Sequence, residues 1–373
     1  MSCKKNKCDF CSYNKDTYKD TIIYKQKGII DTFKPITNNI LEYVSMDNNT
    51  NYRHKVICTF NELKGNIISG IYQKDSHKLI EINSCSLQHE LANNIIDTIV
   101  KLANKYKMSA YNEKTGYGLL RHAVIRVSSL NNDVLLTLVM GEKNFQGSSN
   151  FINILRKKHP EIKSVIFNHN NRDTSVVLGS YDKVAYGTGK IMDKLLNTKF
   201  LIGSKTFFQV NPIMTNKLYQ SVIDLSNISN NDIVLDTYCG IGTITLIAAK
   251  YAKKVIGVES NKESIINAKK NAEINNINNV TFINDDATDY ITKYKDKIDI
   301  LIMDPTRHGA TKEFMESILR LQPKKIIYVS CDYKTQYRDI KQIKHKYNIE
   351  SIQGFDMFPY TEHTETVCVL RLK

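Results

Sequence analysis

A chain of 373 residues, 42% of them apolar, is too long for one small module and can bury the cores of two ordinary domains. Lysine and arginine number 52 against 38 aspartates and glutamates, a formal charge of +14, so a polyanion is the first partner to consider. No apolar run reaches the ~18 residues of a membrane span, and Met1-Ser2-Cys3-Lys4-Lys5 lacks an apolar signal core, which argues for a cytoplasmic protein with no membrane attachment.

In chain order, the first 15 residues hold Cys3, Cys8 and Cys11, three of eight cysteines, in a polar context without periodicity. Thiols in a reducing compartment are metal ligands or catalysts more often than disulfides. From Arg53 the pattern turns strand-like: His54 to Phe60 and Asn66 to Tyr72 flank a five-residue connection, residues 61–65. A helix follows, with Leu91, Ile95, Ile96, Ile99, Val100 and Leu102 mostly three and four apart. Leu120 to Val127 and Asp133 to Met140 read as further strands, so this half is expected to be α+β with antiparallel pairing. Arg121 and Arg126 are an odd number apart and point to opposite strand faces, leaving at most one of them to meet a nucleic acid.

After about residue 205, strands alternate with helices, the signature of βαβ units and a parallel sheet. Strands are expected at Ile233 to Thr237, Lys254 to Val258, Val280 to Ile283, Ile298 to Met303 and Lys325 to Val329, with helices at Asn261 to Asn275 and Lys312 to Leu319. Two β-like stretches around Phe358-Pro359 suggest an antiparallel hairpin closing the sheet edge.

Val234-Leu235-Asp236-Thr237-Tyr238-Cys239-Gly240-Ile241-Gly242 reads as a strand running into a glycine turn and a helix, where the backbone can pass close to a ligand. A dinucleotide fingerprint would place a third glycine at 245, where Thr245 stands. Val255 to Glu259 ends a second strand with an acid suited to two ribose hydroxyls. Asp-x-x-x-Gly-x-Gly followed by a strand-end Glu points to S-adenosylmethionine. Two more strand ends carry Asp304 and Cys331; carboxyl ends of parallel strands face one crevice, so both should join Gly240 and Glu259. A cysteine beside a methyl donor suggests thiolate addition to C6 of a pyrimidine, methylation at C5, and removal of the C5 proton by a base. The turn Phe358-Pro359-Tyr360-Thr361-Glu362-His363-Thr364-Glu365 holds the candidates for that base.

These residues resemble the RNA 5-methyluridine (uracil-C5) methyltransferases, and the resemblance covers nearly the whole chain. It is carried by Phe207-Phe208-Gln209-Val210-Asn211-Pro212, Asp236 to Gly242, Asp304-Pro305-Thr306-Arg307, Tyr328-Val329-Ser330-Cys331-Asp332 and Phe358 to Glu365. It implies a class I, Rossmann-like α/β methyltransferase domain over 201–373, preceded by an α+β RNA-binding domain over 1–200, part of 15–50 packing on the catalytic domain. It also implies S-adenosylmethionine contacts at Gln209, Tyr238, Glu259 and Asp304, with Asp286 at the adenine edge, Cys331 as nucleophile and Glu365 as general base. Thr243, Thr306 and Asp332 depart from the usual family residues.

Cys3, Cys8 and Cys11 offer three thiolates, and Cys85 is the best fourth. In the resembled family such a set holds a 4Fe–4S cluster; four thiolates also suit structural zinc. The members nearest this pattern are the 23S rRNA enzymes without an N-terminal β-barrel module. The expected activity is therefore methylation of a uridine in 23S rRNA, or in the T-loop of tRNA, by a monomer. RNA cytosine-C5 methylation and a non-catalytic RNA-binding or ribosome-assembly role are the alternatives.

Overall fold

The structure, a computed structural model, describes residues 8, 10–13, 15–73, 76 and 78–373. The chain divides into two units: one takes the described residues among 1–14 with 48–194 and 201–212, the other takes 15–47, 195–200 and 213–373. The first regular element, helix α1 (Tyr18–Phe33), belongs to the second unit although it precedes most of the first.

The first unit is built on strands β1 (Lys55–Leu63), β2 (Asn66–Tyr72) and β3 (Leu79–Glu81), helix α2 (Glu90–Lys105), strands β4 (Leu120–Val127) and β5 (Val134–Met140), helix α3 (Ser148–Lys158), and strands β6 (Ile162–His169) and β7 (Tyr181–Tyr186). They form a seven-stranded sheet in the order β3-β2-β1-β4-β5-β6-β7. The β1–β2 connection is only Lys64-Gly65, both with positive φ (52° and 75°), as a two-residue hairpin turn needs; the strands take up the rest of the expected five-residue link. Ile95, Ile99 and Leu102 of α2 and Phe151 and Leu155 of α3 share one core with Val56, Leu136 and Val165 of the sheet.

The expectation of antiparallel pairing fails at one place, because β5 and β6 run parallel with α3 as the crossover. Nothing local marks this: Gly147 opens α3 in a left-handed conformation with no side-chain cap. Neither Arg121 nor Arg126 faces solvent. Every residue of β4 is buried, so opposite strand faces both lie inside the protein. Arg121 donates to the carbonyls of Asn170 (2.9 Å) and Arg172 (2.8 Å), and Arg126 donates to the carbonyl of Thr206.

Strands β8 (Lys190–Leu195) and β9 (Thr198–Gly203) pair with each other and carry the chain between the units. The second unit continues with α4 (Pro212–Ser226), β10 (Ile233–Thr237), α5 (Thr243–Ala248), β11 (Lys254–Glu259), α6 (Lys262–Ile274), β12 (Val280–Asn284), α7 (Ala287–Lys293), β13 (Ile300–Met303), α8 (Lys312–Leu321), β14 (Lys325–Ser330), α9 (Tyr333–Ile343), β15 (Tyr347–Phe355) and β16 (Glu365–Leu372). Its seven strands lie in the order β12-β11-β10-β13-β14-β16-β15, and β16 alone runs against its neighbours. This is the mixed, Rossmann-like α/β sheet that the sequence resemblance implies, and the expected C-terminal hairpin closes its edge. Val234, Leu235, Val255, Val258, Leu301, Ile302, Ile326 and Ile327 are buried, as strands covered on both faces require. No helix among the described residues is long and apolar enough to cross a membrane.

Candidate active site

The site begins where β10 ends. Tyr238 (φ 64°), Gly240 (φ 56°) and Gly242 (φ 80°) all adopt positive φ, so the chain turns sharply off the strand before α5. A Cβ at Gly240 would meet nothing within 4 Å, whereas one at Gly242 would press within 2.9 Å of the Phe282 ring. Gly240 thus leaves open space beside its backbone, and Gly242 permits close packing. The Glu259 carboxylate, at the end of β11, accepts from the N–H of Gly240 (3.2 Å) and the N–H of Asn261 (2.7 Å). Strand order places these groups on neighbouring strands, and the register pairs Thr237 with both Val258 and Met303.

Tyr238 stacks loosely on Phe314, with ring centroids 5.9 Å apart, and burial raises its hydroxyl to about 12. Asp286 follows β12 and caps α7 through Oδ1, accepting from Thr288 N–H (2.8 Å) and Asp289 N–H (3.2 Å). Asp304 follows β13, and burial pushes its carboxyl up to about 7.

Cys331 and Glu365 meet through the antiparallel register. Ser330 pairs with Thr366, so Cys331, the residue just after β14, and Glu365, the first of β16, stand side by side. Directly opposed residues project to the same face of a sheet. Burial raises the Cys331 thiol to about 11, the negative charges of Glu365 and Asp304 adding to it and Arg307 opposing it. Glu365 is only 4% exposed; burial and the charge of Asp304 hold its carboxyl well above the usual range. Asp332 caps α9 through Lys334 and Thr335 and sits 3.5 Å from the Arg307 guanidinium.

Glu259, Asp304, Cys331 and Glu365 therefore share the strand-end rim of the second unit with Gly240. Gln209 belongs to the first unit, where it lines a small recess of about 10 Å³ with His54, Lys55 and Arg126. Two contributors escaped the sequence reading. Thr245 Oγ1 donates to the buried Asp236 carboxylate across 2.5 Å, and the hydroxyl of Tyr219, on α4, lies 3.3 Å from Thr243 Oγ1 with the charge of Asp304 acting on it. The threonine at the expected glycine position signalled the first; no local motif signals Tyr219.

Among the described residues, no group of three or more His, Cys, Asp or Glu side chains could hold a metal ion. Cys8, Cys11 and Cys85 are half-buried members of the first unit, and Cys3 lies outside the described residues. Asn93 holds the Cys85 peptide from both sides, accepting its N–H (3.1 Å) and donating to its carbonyl (3.0 Å). A cavity of about 590 Å³ lies in the first unit between the end of α2 and the start of α3, and none of the candidate residues lines it.

A family model described as tRNA (uracil-5-)-methyltransferase matches residues 17–373. An uncharacterized RNA methyltransferase of Oceanobacillus iheyensis is 36% identical over 375 residues, covering 98% of this chain and 82% of the relative. One of Caldanaerobacter subterraneus subsp. tengcongensis is 36% identical over 372 residues, with the same coverage. Among solved structures, the Pyrococcus abyssi tRNA (uracil-54, C5)-methyltransferase in complex with S-adenosyl-L-homocysteine is similar with a TM-score of 0.82 at 25% identity, covering 96% of this chain and 85% of that one.

Proposed function

This chain belongs to the tRNA (uracil-5-)-methyltransferase family, and on that premise we propose that it methylates C5 of a specific uridine in 23S rRNA through a covalent adduct at Cys331. The observation that carries the reading is the register at β14 and β16, which sets Cys331 beside Glu365 on the rim that holds Gly240, Glu259 and Asp304.

The residues present suit S-adenosylmethionine. Gly240 leaves open backbone for its close approach, Glu259 offers a carboxylate for ribose hydroxyls, and Tyr238, Asp286 and Asp304 stand at neighbouring strand ends. When bound, this cosubstrate would supply a methyl group on a sulfonium.

Cys331 adds as thiolate to C6, forming an S–C6 bond and moving the C5=C6 electrons toward O4. C5 then bonds the methyl carbon, and the methyl–sulfur bond breaks with its electron pair left on sulfur. Glu365 takes the C5 proton; the freed electrons restore C5=C6 and expel the Cys331 thiolate. A carboxylate whose affinity for protons is raised by burial is a stronger base once ionised.

RNA in which 5-fluorouridine replaces the target should trap the Cys331 adduct, because fluorine cannot leave as a cation. A Cys331→Ala protein that still forms the adduct overturns the assignment. A tRNA T-loop uridine is the second reading, favoured by the similarity to the Pyrococcus abyssi enzyme. Mapping 5-methyluridine in total RNA with and without the gene decides between them.

For Cys3, Cys8, Cys11 and Cys85 we propose a 4Fe–4S cluster, with zinc as the competing occupant. Four thiols suit either. Support comes from the donor chemistry, the family resemblance and the anchored Cys85 peptide, not from a gathered set of ligands.

A further inference from the structure

Helix α1 buries Thr21, Lys25, Ile29 and Phe33, a stripe at four-residue spacing in which a lysine occupies a core position. Lys25 Nζ donates to Asp356 Oδ1 (2.5 Å) and to the carbonyl of Phe358 (3.0 Å), and the side chains of the pair are 1% and 0% exposed. The Tyr18 hydroxyl donates to the other Asp356 oxygen (2.6 Å) while accepting from Met46 N–H (2.9 Å). The Tyr18 ring lies 5.4 Å from that of Tyr360, itself at positive φ (62°). Asp356 N–H donates to the Val44 carbonyl (2.9 Å), and the Tyr43 hydroxyl shares a hydrogen bond with Thr364 Oγ1 (2.6 Å).

All these contacts fall on the connection 356–364, between Phe355 at the end of β15 and Glu365 at the start of β16. Asp356, Phe358, Tyr360 and Thr364 are each held by the segment 18–44. A buried ion pair is weak evidence for stability, because desolvation offsets much of the attraction, so a role in fixing geometry is the better account. The last of these tethers is one residue from the candidate base.

We propose that Lys25, with Tyr18 and Tyr43, is a positioning residue that clamps the 356–364 connection and so sets the Glu365 carboxylate for removal of the C5 proton. The proposal rests on the reading of Glu365 as base and adds what holds it in place. Only the second half-reaction needs that carboxylate, so a loosened clamp should spare adduct formation and methyl transfer and slow elimination. A displacement of ~1 Å at a reacting group can cost ~10²-fold, so elimination should slow roughly 10- to 100-fold.

The test is a quenched time course on uridine RNA with methyl-labelled S-adenosylmethionine, using full-length wild type, Lys25→Met, Tyr43→Phe, the double variant Lys25→Met/Asp356→Leu, and Glu365→Gln. Label is followed in protein-bound and in released RNA. The proposal expects Lys25→Met and Tyr43→Phe to hold label in the bound fraction, as Glu365→Gln does to a greater degree. It expects the double variant, whose apolar pair removes the unpaired charge, to fold well and still eliminate slowly. Should Lys25→Met not fold, Tyr43→Phe and the double variant decide. Elimination at the wild-type rate in the folded variants, or an equal loss in both half-reactions, overturns the clamp. If Glu365→Gln also fails to accumulate bound label, the reading of Glu365 as base falls; if it accumulates label and the clamp variants do not, only the clamp falls.

Discussion

Thr245 Oγ1 donates to Asp236 Oδ2 across 2.5 Å, tying the first turn of α5 to the end of β10 where a dinucleotide-binding turn would carry a glycine. Both residues are at most 1% exposed, and burial, reinforced by the negative charges of Asp304 and Glu259, raises the Asp236 carboxyl to about 7 against the hydroxyl and N–H donors of Thr245. Thr245 therefore satisfies the buried acid twice, through its hydroxyl and its N–H, and so fixes the turn.

Replacing Thr245 by Val keeps the shape and removes the donor. Losing one donor to a buried carboxyl costs ~1–3 kcal/mol, and the loss should appear as a lower urea midpoint with an unchanged slope. An unchanged midpoint would show that the bond contributes nothing.

The thiol of Cys331 carries a second prediction. Burial and the negative charges of Glu365 and Asp304 raise it to about 11, while Arg307 lowers it. In the absence of cosubstrate, alkylation of Cys331 followed by peptide mass spectrometry should be slow at neutral pH and rise steadily as pH approaches that value. Glu365→Gln removes a negative neighbour, lowers the thiol pKa, and should speed alkylation at pH 8 by roughly three- to tenfold. Arg307→Ala should do the reverse. Opposite signs would mean that these charges do not face the thiol.

Asp299 predicts an acid-sensitive contribution to stability. Burial alone would raise its carboxyl, but the N–H of Ile233 and the ammonium groups of Lys324 and Lys297 outweigh it and hold the value at about 2. A folded pKa below the unfolded value gives stability that is complete above the unfolded pKa, near 4, and is lost as pH falls from there through about 2. Asp299→Asn should cost about 1–2 kcal/mol at pH 7 and converge with wild type near pH 2. Parallel pH–stability curves for the two proteins would contradict this.

The proposed cluster is checked by colour and metal content. Protein purified without oxygen should be brown, with broad visible absorption, and should contain iron and acid-labile sulfide. Serine at Cys85 should bleach it. Colourless protein with stoichiometric zinc would assign zinc to the site instead.

Much of the second unit was legible in the sequence by itself. Apolar runs at Val234-Leu235, Val255-Ile256, Ile300-Leu301-Ile302 and Ile326-Ile327 name strands buried on both faces, and glycines and acids following them name a strand-end site. These are local signals, set by side-chain chemistry within a few residues. Asn261 and Asn275, expected as helix ends, cap α6 for the same reason.

Tertiary structure decided what local pattern leaves open, namely which segments meet. Lys25 and Asp356 are 331 residues apart, and a lysine on a helix reads as solvated until its partner is seen. Arg121 and Arg126 read as surface charges until both faces of β4 prove covered. The parallel pairing of β5 with β6 depends on the crossover through α3, not on the residues of either strand. The Cys331–Glu365 pairing is set by the β14–β16 register, and register is a property of two strands together, which hydrophobic alternation along each one cannot express.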